Sequence, residues 1–296
     1  MTISVIICTR NRGDLIGATL RTVLAGTLVP DELLVVDQSD GGETQAAVEA
    51  FAADHPSVRY LATETRGLSR ARNVGLELSR GDVLAFTDDD VLVHADWLER
   101  VAAEFRTYPR LAFLFGTVLP PEGYDWQTEF VPYVEVQTRR PVLWHQKEVF
   151  GGMGANMSLR RTAYERLGGF DEGLGAGTGL AGEDYEYALR VASHVPPLGI
   201  HLLDEARVVH HAGARSGEEY HKFVHQVNGT GMGQFWARCL ESPSPRYRLR
   251  ALLSLLQPFG GFASDLVRGR KPSGLRTYTH ALRGFAQAIR RDRDSG

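Results

Sequence analysis

The chain has 296 residues, of which 43% are hydrophobic and 23% are charged, and its formal net charge at pH 7 is −3. This composition is typical of a folded globular protein, and a charge so close to neutral does not favour a nucleic-acid binder. The 2 cysteines are too few for a disulfide framework. The apolar N-terminal run is too short for a signal peptide and no run is long enough to span a membrane, so we expect a cytoplasmic protein.

Strands and helices alternate in the first part of the chain. Strands are predicted at 3–8, 33–36, 58–62 and 83–86, and the segments that follow them have helical periodicity at 14–25, 43–53, 68–78 and 97–105. Four such alternations predict an α/β fold with a parallel, doubly wound sheet flanked by helices. Ligands bind such sheets beyond the carboxyl ends of the strands.

The alternation stops near residue 110. Strands are predicted at 111–119 and 151–158, short helices at 161–167 and 183–192, and mainly helical structure at 218–240 and 246–291, while 120–150 has no clear periodicity. We therefore expect one domain over residues 1–216, divided into halves at 1–110 and 111–216, and a helical C-terminal extension at 217–296.

Basic residues are concentrated in the C-terminal extension. Residues 246–294 contain eleven Arg or Lys and three Asp, a balance of +8 that leaves −11 for the rest of the chain. Basic helices rich in leucine and phenylalanine suit peripheral contact with a membrane surface or with a partner, including a second copy of the chain. An amphipathic helix that packs on its own domain has the same composition, so peripheral membrane contact through 246–296, homodimerisation and simple packing all stay open.

Three adjacent carboxylates follow the fourth predicted strand, at Asp88, Asp89 and Asp90. They repel one another, and a divalent cation at the ligand-binding edge of the sheet would neutralise them. In an extended chain Asp88 and Asp90 point to the same side, and oxygen ligands of this kind suit Mg²⁺ or Mn²⁺. A solvated acidic turn is the alternative interpretation.

Six segments of the chain form a characteristic series. They are 4–12, the strand ending in Asp37, 66–75 (RGLSRARNVG), the acidic triplet, 168–172 (GGFDE) and the Glu183–Asp184 pair. Taken together and in this order, they resemble the family 2 inverting glycosyltransferases of GT-A fold. The resemblance covers roughly residues 3–216, and it implies a GT-A-type, mostly parallel sheet. It also implies metal-dependent transfer of a sugar from a UDP- or dTDP-linked donor to an acceptor hydroxyl, in the synthesis of a cell-surface glycan or a glycosylated metabolite. A glycan, a lipid-linked glycan and a small molecule all remain open as acceptor.

The resemblance assigns the donor side of the site. It gives Asp88 and Asp90 to a metal on the donor diphosphate, with Asp89 beside them, and it gives Thr9 and Asp37 to the base and ribose. The family often has a second acidic residue where this chain has Gln38, which leaves the base preference open. The remaining donor-binding candidates are polar or basic groups in the turn after the first strand and around a helix start: Arg10, Asn11, Arg12, Arg66, Arg72 and Asn73.

Guanidinium forks suit diphosphate oxygens, although Arg66 and Arg72 would fit surface ion pairs equally well. On the acceptor side, an inverting enzyme needs a carboxylate to receive the acceptor proton. Asp184 resembles that general base, and Glu183 is assigned to position it. Favourable charge at a helix start is the alternative for both residues.

The resemblance also brings a strand-end histidine to the metal, as a third ligand. Its spacing to Ser216 favours His211, with His210 as the alternative. A competing function comes from Gly177, Gly179 and Gly182, which have the G-x-G-x-x-G spacing of an NAD(P)-binding oxidoreductase but follow no buried strand. A catalytically inactive sugar-nucleotide-binding protein is the third alternative.

Overall fold

The computed structural model describes residues 1–124, 131–136, 140–143, 145–146, 149, 151–178, 181–194, 199–212, 219, 222, 228–267 and 275–294. The strands in these residues are β1 (Ile3–Thr9), β2 (Glu32–Asp37), β3 (Val58–Ala62), β4 (Val83–Asp88), β5 (Val91–Val93), β6 (Leu111–Leu119), β7 (Arg140–Pro141), β8 (Asn156–Arg160) and β9 (Gly199–His210). The helices are α1 (Gly13–Leu24), α2 (Glu43–Ala52), α3 (Leu68–Leu78), α4 (Trp97–Thr107), α5 (Arg161–Leu167), α6 (Glu183–Ser193), α7 (Asn228–Glu241), α8 (Pro245–Val267) and α9 (Leu275–Asp294).

All of the described strands belong to one mixed sheet in the order β3-β2-β1-β4-β8-β6-β9-β5, and β7 pairs with β9. The first four are parallel, as the sequence predicts, with Ile6 of β1 between Leu34 of β2 and Phe86 of β4. β8 lies antiparallel between β4 and β6, whereas β6 and β9 are parallel. Most of the paired residues are therefore parallel, and the antiparallel pairs lie on the β8 side of β4.

Helices cover both faces of this sheet. Val5 and Ile7 of β1 join a core cluster with side chains of α1 and α4, whereas Ile6 joins a second cluster with side chains of α3 and α6. Successive strand residues point to opposite faces, so a strand buried on both sides needs an unbroken apolar run such as that of β1. The two cores fix the carboxyl ends of β1 and β4 from both sides.

The C-terminal helices pack on the main domain through a third cluster. It joins Phe235 of α7 and Tyr278 of α9 to Leu189 of α6. α7 and α9 are in close contact, because a Cβ at Gly229 would lie 2.7 Å from the carbonyl oxygen of Thr277. Among the described residues, no helix is both long and apolar enough to cross a membrane.

The predicted strand at 151–158 is displaced in the structure. Residues 151–155 form a loop, and β8 begins only at Asn156. Glycine is a weak strand former, and the glycines of this loop have other contacts: Gly152 lies against the ring of Phe115, and the Gly154 N–H donates to Asp184.

The structure also contains strands that the sequence analysis does not predict. These are β5, β7 and the first part of β9, which extends from Gly199 up to the strand end at His210. The predicted helical region at 246–291 comprises α8 and α9. Of the helix predicted at 218–240, the structure confirms 228–240, and most of 218–227 lies outside the described residues.

Candidate active site

A cavity of about 670 Å³ opens at the carboxyl ends of β1 and β4, where open α/β sheets bind their ligands. One wall is built by the end of β1, the turn after it and the acidic triplet. A second wall is built by the loop before α6 and the first residues of that helix, and the C-terminal helices also contribute to the lining. The lining of the cavity includes Cys8, Thr9, Arg10, Arg12, Gln38, Asp88, Asp89, Asp90, Gly177, Gly182, Glu183, Asp184, His210, Met232 and Thr277.

Three side chains on the first wall converge as a candidate metal centre. One ligand atom from each of Asp88, Asp90 and His210 lies within 4.8 Å of the others, and Nε2 of His210 is 3.8 Å from Oδ1 of Asp90. Nδ1 of His210 is 2.7 Å from the carbonyl oxygen of Pro132. Because a carbonyl only accepts, Nδ1 carries the hydrogen, and the lone pair of Nε2 is left for a cation.

The histidine beside the two aspartates is His210 and not the favoured His211. His210 is the last residue of β9 and pairs with Val91 of β5, the strand that directly follows the acidic triplet. His211 contacts the triplet only through its backbone N–H, which donates to the carbonyl oxygen of Asp90 at 3.1 Å. The spacing to Ser216 could not identify His210, because His210 is placed by its pairing with β5. A three-residue strand such as β5 carries little sequence signal.

Burial disfavours the charged form of two carboxylates in the acidic triplet. It raises the pKa of Asp88, and it raises that of Asp89 to about 6 although Arg12 acts in the opposite direction. Nη1 of Arg12 lies 2.8 Å from Asp89 and 2.9 Å from Asp90. Two carboxylates and an imidazole nitrogen are a suitable donor set for a divalent cation, so the residues fit the predicted metal.

Asp184 lies on the second wall, at the start of α6. Its Oδ2 accepts from the Gly154 N–H at 2.8 Å, and its Oδ1 accepts from the Tyr185 N–H at 2.8 Å. Burial and the neighbouring charge of Glu183 raise the pKa of Asp184 to about 7, although Arg72 and the two backbone bonds lower it. A carboxyl group with a pKa near neutrality, facing a cavity, can receive a proton from a bound molecule.

Arg72 is a buried cation that contacts one carboxylate of each wall. Its side chain is 3% exposed, with Nη1 at 2.7 Å from Glu183 and Nη2 at 3.6 Å from Asp88. Burial lowers the pKa of Arg72, but the two carboxylates outweigh it, so the pKa is raised and the guanidinium stays charged. The sequence assigns Arg72 to the donor diphosphate, whereas its contacts in the structure are with these protein carboxylates.

Two other side chains of α3 attach it to the acceptor-side segment. Asn73 accepts from the Phe170 N–H at 2.7 Å and donates to the Phe170 carbonyl oxygen at 3.0 Å. The Ser69 hydroxyl donates to the carbonyl oxygen of Leu174 at 2.7 Å. Ser69 and Asn73 are four residues apart and lie on one face of the helix. In this structure Asn73 holds the GGFDE segment, while the sequence assigns it to the donor.

Asp37, the predicted base or ribose contact, is bonded within the protein. Its side chain accepts from the Ser39 N–H at 2.8 Å and from the Tyr60 hydroxyl at 2.9 Å. The adjacent Gln38 lines the cavity and donates to the carbonyl oxygen of Gly67 at 3.2 Å. Of Asp37 and Gln38, it is therefore the amide side chain of Gln38 that lines the cavity.

The turn after β1 forms a polar rim. Asn11 has a left-handed backbone with φ of 54°, its N–H donates to the Ser39 hydroxyl at 2.7 Å, and its side chain accepts from the Asp40 N–H at 3.1 Å. Arg10 and Arg66 pair with Asp40 at 3.6 Å and 2.6 Å. These guanidinium groups are exposed, and Arg10 also lines the cavity.

The sequence missed part of the lining. Cys8, Met232 and Thr277 face the cavity, and burial raises the pKa of the Cys8 thiol to about 12, so that thiol stays protonated. Met232 and Thr277 belong to α7 and α9, and no sequence signal connects those helices to this cavity. The glycine loop includes Gly177 and Gly182, while Gly179 lies outside the described residues.

A mostly parallel sheet that brings a candidate metal centre and a buried carboxyl group with a raised pKa into one cavity suits an α/β group-transfer enzyme. Residues 4–168 match the family model for glycosyl transferase family 2, and the chain belongs to that family. It is a nucleotide-sugar glycosyltransferase, which excludes the oxidoreductase alternative.

Known proteins similar to the chain agree with this assignment. The glucosyl-dolichyl phosphate glucuronosyltransferase of Haloferax volcanii is 28% identical over 247 residues, which cover 80% of this chain and 75% of that protein. S. aureus TarS 1-349 in complex with UDP-GlcNAc is 18% identical, with a TM-score of 0.67 over 98% of this chain and 82% of that one. The mannosyltransferase PcManGT from Pyrobaculum calidifontis in complex with GDP-Man and Mn²⁺ is 22% identical, with a TM-score of 0.63 over 97% and 80% of the two chains. These likenesses confirm the predicted GT-A fold.

Proposed function

We propose that this enzyme is a metal-dependent inverting glycosyltransferase that moves a sugar from a UDP- or dTDP-linked donor to an acceptor hydroxyl. The observation that carries the proposal is the presence of two chemistries in one cavity. Asp88, Asp90 and His210 converge as a candidate metal centre, and Asp184 lines the same cavity at the start of α6. Inversion requires a proton acceptor separate from the group that holds the diphosphate, because the acceptor attacks the anomeric carbon on the side away from the departing diphosphate.

We assign Asp88, Asp90 and His210 as the ligands of a resident Mg²⁺ or Mn²⁺. The imidazole favours Mn²⁺, since Mg²⁺ prefers oxygen ligands throughout. The mannosyltransferase of similar fold holds Mn²⁺ together with GDP-Man, which supports the assignment. When bound, the cation supplies positive charge for the diphosphate of the donor.

The protein groups around the donor have separate tasks in this proposal. Arg12, about half exposed and in contact with Asp89 and Asp90, orients that wall and offers a guanidinium to the donor diphosphate. Thr9, Arg10 and the amide of Gln38 line the part of the cavity that receives the nucleotide. Proteins of similar fold hold UDP-GlcNAc in one case and GDP-Man in another, which supports a nucleotide-diphosphate sugar as donor.

On the second wall, Asp184 takes the proton of the acceptor hydroxyl. Its two backbone hydrogen bonds fix the carboxylate, and its pKa of about 7 lets it hold or release a proton near neutral pH. Glu183 and Arg72 position it without touching the acceptor. We propose a carbohydrate hydroxyl as acceptor, as in the similar Haloferax protein, which is named for glucosyl-dolichyl phosphate and for glucuronosyl transfer.

Replacing Asp184 with asparagine tests the proposed base. Asparagine keeps the size of the side chain but cannot take the proton, so turnover should fall by about 10² or more. Binding of UDP with Mn²⁺, measured by calorimetry, should be unchanged, because the donor-side wall is intact. The exposed carboxylate Asp54 provides the matched control, Asp54→Asn, which should retain full turnover.

Two outcomes of that experiment contradict the proposal. Undiminished turnover in Asp184→Asn would place the base on another residue. A wild-type protein that binds UDP-sugars but neither transfers nor hydrolyses them, with any acceptor pool, would be the inactive sugar-nucleotide-binding alternative.

A further inference from the structure

Exposed apolar side chains are concentrated on the last two helices. In the part of the chain that the structure describes, twelve large hydrophobic side chains are exposed, and six of them lie on α8 and α9. The other six are spread along the chain between Met1 and Leu143. The six on the helices are Leu249, Leu252, Leu253, Leu256, Leu275 and Leu282.

The four leucines of α8 occupy one face of that helix, because their spacing is i, i+3, i+4 and i+7. They are between 40% and 63% exposed. Over residues 245–256 another face of α8 is buried, and it carries Ala251 and Leu255 in the third core cluster and the buried Ser254. Packing on the domain therefore does not account for the leucine face.

Arginines accompany the exposed leucines. Arg248 precedes Leu249, Arg276 follows Leu275, and Arg283 follows Leu282, and all three arginines are exposed. None of the three has a salt bridge to a described residue. The segments 245–256 and 275–289 contain no Asp or Glu, and residues 246–294 have a formal charge balance of +8. The outer faces of both helices are thus apolar and positively charged.

We propose that these outer faces dock on an anionic lipid surface. The leucine–arginine surface is defined as Leu249, Leu252, Leu253, Leu256, Leu275 and Leu282 with Arg248, Arg276 and Arg283. Leucines that enter the headgroup boundary, beside arginines that reach the lipid phosphates, are the composition of helices that lie on membranes. A protein partner would need a dense acidic face to match these arginines, whereas an anionic membrane provides that charge everywhere.

Docking would place the cavity beside the lipid. Thr277 lines the cavity and follows the exposed Arg276 directly in α9. Resting on the proposed function, this position suits an acceptor that is itself anchored in the membrane, with its sugar hydroxyl held near the headgroups. The docking surface can be tested without any acceptor.

The test is co-sedimentation of the full chain with phosphatidylcholine vesicles that do or do not contain phosphatidylglycerol. Wild type should bind only the anionic vesicles, and less at high salt. Arg248→Gln/Arg276→Gln/Arg283→Gln should weaken binding by about 10², since each arginine near such a surface contributes about fivefold. Leu252→Gln/Leu256→Gln should weaken it by about tenfold or more, because each loses apolar insertion.

Exposed residues elsewhere give controls with matched changes. Val29→Gln/Leu78→Gln removes two exposed apolar side chains, and Arg21→Gln/Arg80→Gln/Arg106→Gln removes three exposed charges. Both controls should bind vesicles as wild type does. UDP affinity, measured in every variant, reports folding and is independent of whether the chain transfers a sugar.

Two results overturn the proposal. In the first, the surface variants sediment with anionic vesicles as strongly as wild type does. In the second, wild type does not bind vesicles, and light scattering shows a dimer that Leu252→Gln/Leu256→Gln dissociates. The leucine face would then be the contact with a second copy of the chain.

Discussion

Replacing Arg72 with methionine tests whether the two walls of the cavity depend on one buried charge. The guanidinium lies 2.7 Å from Glu183 and 3.6 Å from Asp88, and only 3% of the side chain is exposed. Methionine fills much of the same volume without charge. Glu183 would then be buried beside Asp184 with no cation, and the second wall would hold two carboxylates that repel each other.

The expected loss of stability follows from that arrangement. Removing one partner of a buried ion pair costs about 3–5 kcal/mol, because the other charge stays buried and uncompensated. In a chain of this size each kcal/mol lowers Tm by about 2–4 °C, so we expect a decrease of about 10 °C. Arg72 also lowers the pKa of Asp184, so its loss should raise that pKa and move the midpoint of the pH–rate profile to higher pH than in wild type.

Arg70 is the matched control for this experiment. It lies on the same helix, is 50% exposed and pairs with Glu172 at 3.3 Å. Exposed pairs contribute at most about 1 kcal/mol, so Arg70→Met should change Tm by only a few degrees. Scanning calorimetry and kcat/KM against pH measure both effects, and Arg72→Met/Glu183→Gln should recover part of the lost stability. Equal decreases in Tm for the two methionine variants, with an unmoved pH profile, would refute the role given to Arg72.

The site makes two further predictions. The proposed role of Asp184 as base requires its unprotonated form, so kcat/KM should rise with pH and level off above about 7. The pKa of Asp184 is higher in the folded than in the unfolded chain, so the free energy of unfolding should fall as the pH rises from about 4 to 7. This fall should be larger in wild type than in Asp184→Asn. Urea titrations that show the same pH dependence for both proteins would contradict the prediction. His210→Ala should weaken Mn²⁺ binding by about tenfold or more, whereas His211→Ala should leave it near the wild-type value. Electron paramagnetic resonance with UDP present measures this binding. The reverse order of the two variants would assign the ligand to His211.

The first four strands and helices are predictable from the sequence because each depends on local signals. Every one of those strands is a short apolar run bounded by turn residues, and the bounds predicted for 58–62 and 68–78 are those of β3 and α3. β5, β7 and β8 depend instead on distant partners. Three residues of β5 become a strand because β9 lies beside them, and no window of local sequence contains that information.

The candidate site divides in the same way. The acidic triplet is local, so the convergence of Asp88 and Asp90 can be expected from their position after a buried strand. Whether a polar group meets a ligand or another part of the protein cannot be read from its type. Carboxylate, amide and guanidinium groups bond equally well to either, and the fold engages Asp37, Asn73 and Arg72 within the protein.

The loop at 151–155 connects the displacement of the predicted strand with the surroundings of the proposed base Asp184. A Cβ at Gly154 would lie 2.5 Å from Nη2 of Arg72, so this position has no room for a side chain while Arg72 bridges the two walls. The same residue donates its N–H to Asp184 at 2.8 Å. The backbone must therefore pass between the buried guanidinium and the proposed base, and only glycine allows that approach. The glycines that keep this loop out of the sheet are what let Arg72 lie close enough to influence the proton affinity of Asp184.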